Sequence, residues 1–149
     1  MNILIINGVN LNMLAYREAG IYGDFSYEEL TQMIRIYAEK KGILAKLDFF
    51  VSNYEGEIVE CIHKAIIEQT TAIIINPAAF SHYSYAIHDA LLMFKGIKVE
   101  VHLSDVHNRD VFRKNLVTAN ASDHMISGLQ EKSYFEALDY IMTKQATVK

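Results

Sequence analysis

Cysteine and long apolar runs are scarce in this sequence, and each scarcity excludes a class of protein. The single cysteine, Cys61, excludes a disulfide framework and a cysteine-rich zinc site, and it favours a reducing interior. No run approaches the roughly 18 apolar residues that a membrane span needs. The apolar residues 3–6 have no basic flank and are too few for a signal peptide. We therefore expect a cytoplasmic protein with no membrane partner.

An excess of positive charge is also missing. Lysine and arginine number 14 against 18 aspartates and glutamates, which gives a net charge of −4 without any block of like charge. A nucleic-acid groove or an anionic-membrane surface needs net positive charge, so we expect neither partner. Hydrophobic residues make up 51% of the 149 residues and no Pro/Gly/Ser-rich linker interrupts them, which predicts one globular domain over residues 1–149.

Two hydrophobic periods alternate along the chain. Short apolar runs predict strands at residues 2–6, 45–51, 72–75 and 98–104, with a weaker fifth strand around Met125 and Ile126. Segments of helical period lie between them. Helices are predicted after the capping-box pair Ser26 and Glu29, over residues 57–69, over residues 85–94, and from Ser133 onward.

Buried strands separated by crossover helices predict an α/β protein of the flavodoxin-like class. The expected architecture has three layers, with helices on both faces of a five-stranded parallel sheet. Ligands bind such sheets at the carboxyl ends of the strands. The chemistry should therefore lie just after Ile6, Val51, Ile75 and Leu103.

Polar side chains are concentrated at these strand ends. An unusually long loop after the first strand carries Arg17 and Tyr22, and long loops in compact domains are often lids or binding loops. Glu100 and His102 stand at i and i+2 of the fourth strand and so project from one face. Guanidinium, amide, hydroxyl and imidazole groups together suit a small, oxygen-rich, anionic substrate.

Nucleotide and metal functions fit the same positions poorly. A P-loop and a G-x-G-x-x-G fingerprint are absent, and a phosphoacceptor receiver would need acids where Asn7 and Asn76 stand. His102, Asp105 and His107 lack the spacing of a known metal motif, so no metal is expected.

Four segments together resemble the type II 3-dehydroquinate dehydratase family. They occur in the family's order and at its spacing between residues 3 and 113. The segments are NGVNLNML at 7–14 with RE at 17–18 and IYG at 21–23, SNYEGE at 52–57, INPAAFSHYS at 75–84, and EVHLSDVH at 100–107 with Arg109, Phe112 and Arg113.

This resemblance implies a fold, a reaction and an assembly. The family has a flavodoxin-like fold and forms a homododecamer built from trimers. It is a group of lyases that convert 3-dehydroquinate into 3-dehydroshikimate, in the shikimate pathway of aromatic amino acid biosynthesis, with neither metal nor cofactor. We therefore expect 3-dehydroquinate as the small-molecule partner of this chain.

The resemblance also implies a role for each matching residue. Tyr22 would be the base that removes the proton alpha to the ketone, Arg17 would lie beside its phenol, and His102 would protonate the departing hydroxyl. Asn12 would stabilise the enolate through a bound water, and Glu100 would orient His102. The expected substrate-binding residues are Asn76, His82, Leu103, Ser104, Arg113 and, reaching the site of a neighbouring subunit, Asp89.

These roles are chemically consistent. A free tyrosine titrates near pH 10, so a tyrosine base must be activated, and a nearby guanidinium favours the phenolate. Hydroxide is a poor leaving group that needs a proton donor, and imidazole suits that task near neutral pH. Arg17 and Tyr22 lie on the long loop, which we expect to close over bound substrate.

An alternative from another class remains open. Tyr22 would then be a packed aromatic, His102 a core histidine paired with Glu100, and the chain a non-catalytic flavodoxin-like oligomer or small-molecule binding module. Val9, Ala15 and Ala19 depart from the family's usual residues and predict a looser first loop.

Overall fold

The computed structural model describes residues 1–147, which contain five strands and five α-helices. The strands are β1 (Asn2–Asn7), β2 (Lys46–Val51), β3 (Ala72–Asn76), β4 (Ile97–His102) and β5 (His124–Ser127). The helices are α1 (Ala19–Tyr22), α2 (Tyr27–Lys40), α3 (Glu55–Ile67), α4 (Tyr85–Met93) and α5 (Lys132–Thr147).

All five strands form one parallel sheet in the order β2-β1-β3-β4-β5. This is the flavodoxin-like order, and the predicted fold class is confirmed. The predicted strand boundaries hold within two residues. The largest difference is in β4, which ends at His102 because Leu103 and Ser104 already belong to the edge that faces a cavity.

The sheet is covered on both faces because successive residues of its inner strands point to opposite sides. Ile74 of β3 packs in one apolar layer with Leu30 of α2 and Leu138 of α5. Its neighbour Ile73 packs in the other layer with Ile62 of α3. Continuous apolar runs such as residues 72–75 are fully buried for this reason.

Among the described residues, helix α2 begins at a side-chain cap, whereas α5 does not. At α2, the Ser26 hydroxyl accepts from the Glu29 N–H at 3.1 Å, and the Glu29 carboxylate accepts from the Ser26 N–H at 2.7 Å, so the predicted capping box is confirmed. Helix α5 begins at Lys132, one residue before the expected Ser133. The Ser133 hydroxyl instead donates to the His102 carbonyl at 3.0 Å and ties the helix to the end of β4.

The carboxyl edge of the sheet carries most of the irregular structure. Short 3-10 segments follow β1, β3 and β4, and α1 lies within the long loop after β1. Within residues 1–147, no helix combines the length and apolarity that crossing a membrane requires. The same residues contain no group of three or more His, Cys, Asp or Glu side chains placed to hold a metal ion.

Candidate active site

A cavity of about 110 Å³ lies at the carboxyl edge of the sheet, where the sequence predicts the chemistry. Its walls come from the segments after β1, β3 and β4, as expected for a parallel sheet. The predicted site residues that line it are Arg17, Tyr22, Asn76, His82, His102, Leu103, Ser104 and Arg113.

Two guanidinium groups hold the Tyr22 side chain, which is buried. Arg17 lies flat over the aromatic ring, with its central carbon 3.7 Å from the ring centroid. Arg109 donates a hydrogen bond from Nη1 to the Tyr22 hydroxyl at 2.6 Å, and it approaches the Ser104 hydroxyl at 3.4 Å. Arg17 is thus beside the phenol as predicted, but the hydroxyl itself is bonded by Arg109.

The cavity is electropositive because Arg17, Arg109 and Arg113 all line it. Partial burial lowers the pKa of Arg17 below its ordinary value, and the neighbouring Arg109 and Arg113 charges lower it further. Tyr22 is a neighbour of both Arg17 and Arg109, and a negative charge on its oxygen would reduce the repulsion between these two arginines. Such a cluster favours an anion in the cavity, either a ligand carboxylate or a phenolate.

His102 is oriented by a buried carboxylate. Its Nε2 lies 2.7 Å from Oε1 of Glu100, which is completely buried beneath the cavity floor. Oε2 of the same carboxylate accepts a hydrogen bond from the Thr118 hydroxyl at 2.7 Å. Because a carboxylate only accepts, Nε2 carries a proton and Nδ1 is the ring nitrogen left for a ligand.

His82 is held by the backbone and side chain of one residue. Its Nδ1 lies 2.8 Å from the Asn115 carbonyl, and the Asn115 amide donates to the His82 carbonyl at 3.1 Å. Burial lowers the pKa of His82 below its ordinary value of 6.5, with smaller opposing and reinforcing effects from Asn115 and His102. At neutral pH His82 is therefore an uncharged hydrogen-bonding group.

Asn76 is fixed from below by a buried tyrosine. Its amide donates to the Tyr134 hydroxyl at 3.0 Å, and that hydroxyl donates to Oδ1 of Asn7 at 2.5 Å. Complete burial raises the pKa of Tyr134, so it remains a neutral phenol. The side-chain Oδ1 of Asn76 accepts from the Ala78 N–H at 3.1 Å, and Ala78 has a φ of 54°.

The loop after β1 approaches the loop after β3 closely. A Cβ on Gly8 would lie 2.2 Å from the Pro77 carbonyl oxygen, so only glycine fits there. Further along, the Asn10 N–H donates to the Asn53 side chain at 2.8 Å. The segment after β2, predicted to contribute to the site, supports the first loop in this way and does not line the cavity.

Three predicted residues do not line this cavity in the described part of the chain: Asn12, Asp89 and the buried Glu100 that contacts His102. Asn12 is exposed on the first 3-10 segment. Asp89 is on α4, where its side chain is 75% exposed and its carboxylate lies 2.9 Å from Nδ1 of His88. An exposed Asp89 is available to a neighbouring molecule but not to the cavity of its own chain.

The sequence predicts no role in the site for four residues that have clear contacts in the structure: Arg109, Asn115, Thr118 and Tyr134. Arg109 belongs to the fourth recognised motif, yet the motif does not say which arginine reaches the phenol. Tyr134 was expected only on the apolar face of the last helix. Nothing in the sequence around Asn115 or Thr118 indicates their contacts with His82 and Glu100.

Comparison with known proteins gives a consistent result. The family model described as dehydroquinase class II matches residues 1–142. A 3-dehydroquinate dehydratase of Thermotoga maritima is 46% identical over 144 residues, covering 97% of this chain and 96% of that protein. Another, from Caldicellulosiruptor bescii, is 48% identical and covers 91% of this chain and 92% of that protein.

A solved structure is similar throughout. The crystal structure of a type II dehydroquinase from Butyrivibrio crossotus superimposes with a TM-score of 0.91 at 43% sequence identity. The match covers 95% of this chain and 97% of that one.

Proposed function

Because the chain belongs to the class II dehydroquinase family, we propose that its cavity removes water from 3-dehydroquinate by acid–base catalysis through an enolate. Family membership makes the chain a hydro-lyase of the shikimate pathway. The product is 3-dehydroshikimate. The proposal concerns the residues that carry the reaction and the assembly in which they work.

One observation carries the proposed mechanism: the Tyr22 hydroxyl accepts from Arg109 under the stacked Arg17, in the same cavity as His102. A phenol bonded by a cation at its oxygen is prepared to become a phenolate, which is a base. An imidazole with one free nitrogen is prepared to give a proton. Dehydration next to a ketone needs both groups in one small site.

The first step is proton removal by Tyr22. The phenolate takes the proton from the carbon alpha to the ketone, and the C–H electron pair becomes the enolate. Arg109 stabilises the phenolate through its hydrogen bond, and Arg17 adds positive charge over the ring.

Residues around the cavity position the substrate. Arg113 is suited to the substrate carboxylate, and Asn76, His82, Leu103 and Ser104 are suited to its oxygens. Asn12 reaches the enolate oxygen through a bound water once the first loop closes over substrate. Asn12 is exposed on the 3-10 segment of that loop.

The second step is protonation of the leaving hydroxyl by His102. The enolate electrons re-form the ketone and the new double bond while the C–O bond breaks, and the hydroxyl leaves as water after taking a proton from Nδ1 of the imidazolium. Glu100 stabilises the imidazolium by accepting from Nε2 at 2.7 Å. The catalytic set is therefore Tyr22, His102, Arg17, Asn12 and Glu100, to which we add Arg109.

For assembly, we propose a homododecamer built from trimers, with Asp89 reaching the site of a neighbouring subunit. Large apolar side chains on and near α4 support contact between copies, because they are exposed at about half their surface or more. They are Tyr83, Tyr85, Leu92, Met93 and Phe112. The cytoplasmic location expected from the sequence stays a prediction.

The decisive experiment follows the enone absorbance of the product when purified protein is mixed with 3-dehydroquinate. We expect turnover that a chelator does not change, because no proposed step uses a metal. Tyr22→Phe should be inactive, whereas the control Tyr54→Phe, which alters an exposed tyrosine, should keep full activity. Binding of 3-dehydroquinate without turnover would contradict the proposal and favour the binding-module alternative.

A further inference from the structure

Thr118 lies outside the cavity, but it makes the second hydrogen bond to the carboxylate that orients His102. Its hydroxyl is 2.7 Å from Oε2 of Glu100, and both side chains are completely buried. The other carboxylate oxygen is occupied by Nε2 of His102 at 2.7 Å. Thr118, Glu100 and His102 thus form one chain of hydrogen bonds that leads to the cavity.

We propose that Thr118 is a positioning residue that keeps the shared proton of the Glu100–His102 pair on the imidazole. This inference rests on the proposed role of His102 as the acid. Thr118 does not line the cavity, and its hydroxyl reaches the site through the hydrogen bond to Glu100.

The buried Glu100–His102 pair can place its shared proton on either residue. With the proton on His102, the pair is a carboxylate beside an imidazolium, whose Nδ1–H is a good acid. With the proton on Glu100, the pair is a carboxylic acid beside a neutral imidazole, whose Nδ1–H is a very weak acid. A hydroxyl that donates to Oε2 stabilises the carboxylate, and therefore favours the first arrangement.

The segment that carries Thr118 is firmly attached to the rest of the molecule. The Val117 N–H donates to the Ser81 carbonyl at 2.7 Å, and beyond Thr118 the Asp123 N–H donates to the Lys98 carbonyl at 2.8 Å. The Thr118 hydroxyl is therefore held in place before substrate binds.

Other charged or titratable groups surround the pair from the cavity side. His82 lies near enough to His102 and Glu100 to have electrostatic interactions with them. Arg17, Tyr22, Arg109 and Arg113 line the same cavity as His82 and His102. The positive groups among them oppose a charged imidazole. A second donor on Glu100 is needed for this reason, since it keeps the compensating negative charge on the carboxylate.

A purely structural role for Thr118 makes a different prediction from the proposed one. If the hydroxyl only satisfied a buried acid, its loss would lower stability and reduce kcat by the same factor at every pH. If it controls the proton, the loss depends on pH. At pH values where the Glu100–His102 pair holds its shared proton, loss of the Thr118 hydroxyl shifts that proton toward Glu100 and lowers kcat. At alkaline pH the pair has lost this proton in both proteins, so the difference in kcat disappears.

The experiment compares kcat of the natural protein and Thr118→Val from about pH 6 to about pH 9. Valine has the shape of threonine without the hydroxyl. We expect kcat to fall about tenfold at the acidic end, the size expected for one hydrogen bond to a charged group, and to converge at the alkaline end. KM should stay unchanged, and Thr118→Ser should restore kcat.

Three further variants complete the test. Ser84→Ala is the matched control, because it removes a buried hydroxyl that caps α4 away from the cavity, and its kcat should equal that of the natural protein at all pH values. In a Glu100→Gln background, Thr118→Val should cause no further loss of kcat, because no carboxylate remains to be stabilised. If the valine variant does not fold, Thr118→Ala supports the same comparison.

The inference is wrong if the kcat ratio is constant with pH, if serine fails to restore activity, or if the losses from Thr118→Val and Glu100→Gln multiply. His102→Asn separates this failure from failure of the proposed function. An inactive His102→Asn with a constant Thr118→Val ratio contradicts only the role of Thr118. A fully active His102→Asn contradicts both.

Discussion

Two arginines contact the phenol of Tyr22, and each contacts a different part of it. Arg17 stacks on the ring, while Arg109 donates directly to the oxygen at 2.6 Å. A hydrogen bond from a cation to a developing phenolate stabilises it more than a charge above the ring face does. We therefore expect Arg109 to contribute more than Arg17 to the proposed activation of Tyr22 as a base.

Replacement of Arg109 by methionine tests this assignment. We expect kcat to fall by about 100-fold, since one preorganised donor to a charged group in a site is commonly worth this much, while KM changes little. Arg35→Met is the control, because Arg35 stacks on Phe49 and bonds the Leu47 carbonyl. Steady-state kinetics that show equal activity in both variants would contradict the assignment.

The pKa of His82 predicts a pH dependence of stability. Burial lowers this pKa in the folded protein, so below about pH 6.5, the unfolded value, the unfolded chain binds more protons than the folded one. The stabilising contribution is thus complete above that value and is lost as pH falls through the folded pKa.

We therefore expect urea unfolding to show a smaller decrease in stability between about pH 7 and about pH 5 for His82→Gln than for the natural protein. His63→Gln, which alters an exposed histidine on α3, should behave like the natural protein. An identical pH dependence for all three proteins would show that His82 does not carry this effect.

Some contacts in the site could be predicted from the sequence and others could not. Glu100 and His102 were predicted to share a face because strand geometry places i and i+2 together. Their contact at 2.7 Å agrees with that prediction. The contacts of Arg109 and Thr118 join loop segments to distant residues, and no local periodicity reports such pairs.

Among the secondary-structure elements, α5 supports the site with a side chain that does not line the cavity. Tyr134 on this helix bridges Asn7 at the end of β1 and Asn76 at the end of β3. The helix thereby sets the relative position of two strand ends at the cavity.

Removal of the Tyr134 hydroxyl should weaken both stability and substrate binding. In Tyr134→Phe, the buried Asn7 and Asn76 side chains lose a partner, which costs about 1–3 kcal/mol of stability. We expect KM to rise and kcat to change less, because Asn76 is a proposed binding group. Tyr140→Phe on the same helix is the control, and an unchanged KM in Tyr134→Phe would contradict the bridging role.

Regular elements were predictable, whereas the loops were not. Residues 72–75 are apolar and β-branched, and this pattern identifies a strand buried on both faces. The short helix α1, which carries Tyr22, was expected as loop. The hydroxyl of its Tyr22 is bonded by Arg109, 87 residues further along the chain, and the sequence does not display such long-range contacts.

The complete molecule is proposed to share active sites between copies. Asp89 is exposed on α4 beside apolar side chains, so it is available to a neighbour in a trimer. A shared site has a genetic consequence, because a defect in one chain can be compensated by another chain.

Co-expression of Tyr22→Phe with Asp89→Ala tests sharing. We expect mixed oligomers to recover activity above the sum of the two separate proteins, because an intact Tyr22 meets an intact Asp89 across an interface. In the control, the Tyr22→Phe chain is replaced by a chain that carries both Tyr22→Phe and Asp89→Ala, so that no chain supplies an intact Asp89. The proposed assembly would be contradicted if the protein had the mass of a single chain in solution, or if the mixed oligomers recovered no activity.

The exchange of the substrate hydrogen alpha to the ketone is the most direct measure of the mechanism. In deuterated water, His102→Asn should incorporate deuterium into 3-dehydroquinate without releasing water, because the base still forms the enolate and the acid is missing. Tyr22→Phe should show no exchange beyond the protein-free rate. Exchange that persists in Tyr22→Phe would contradict the account.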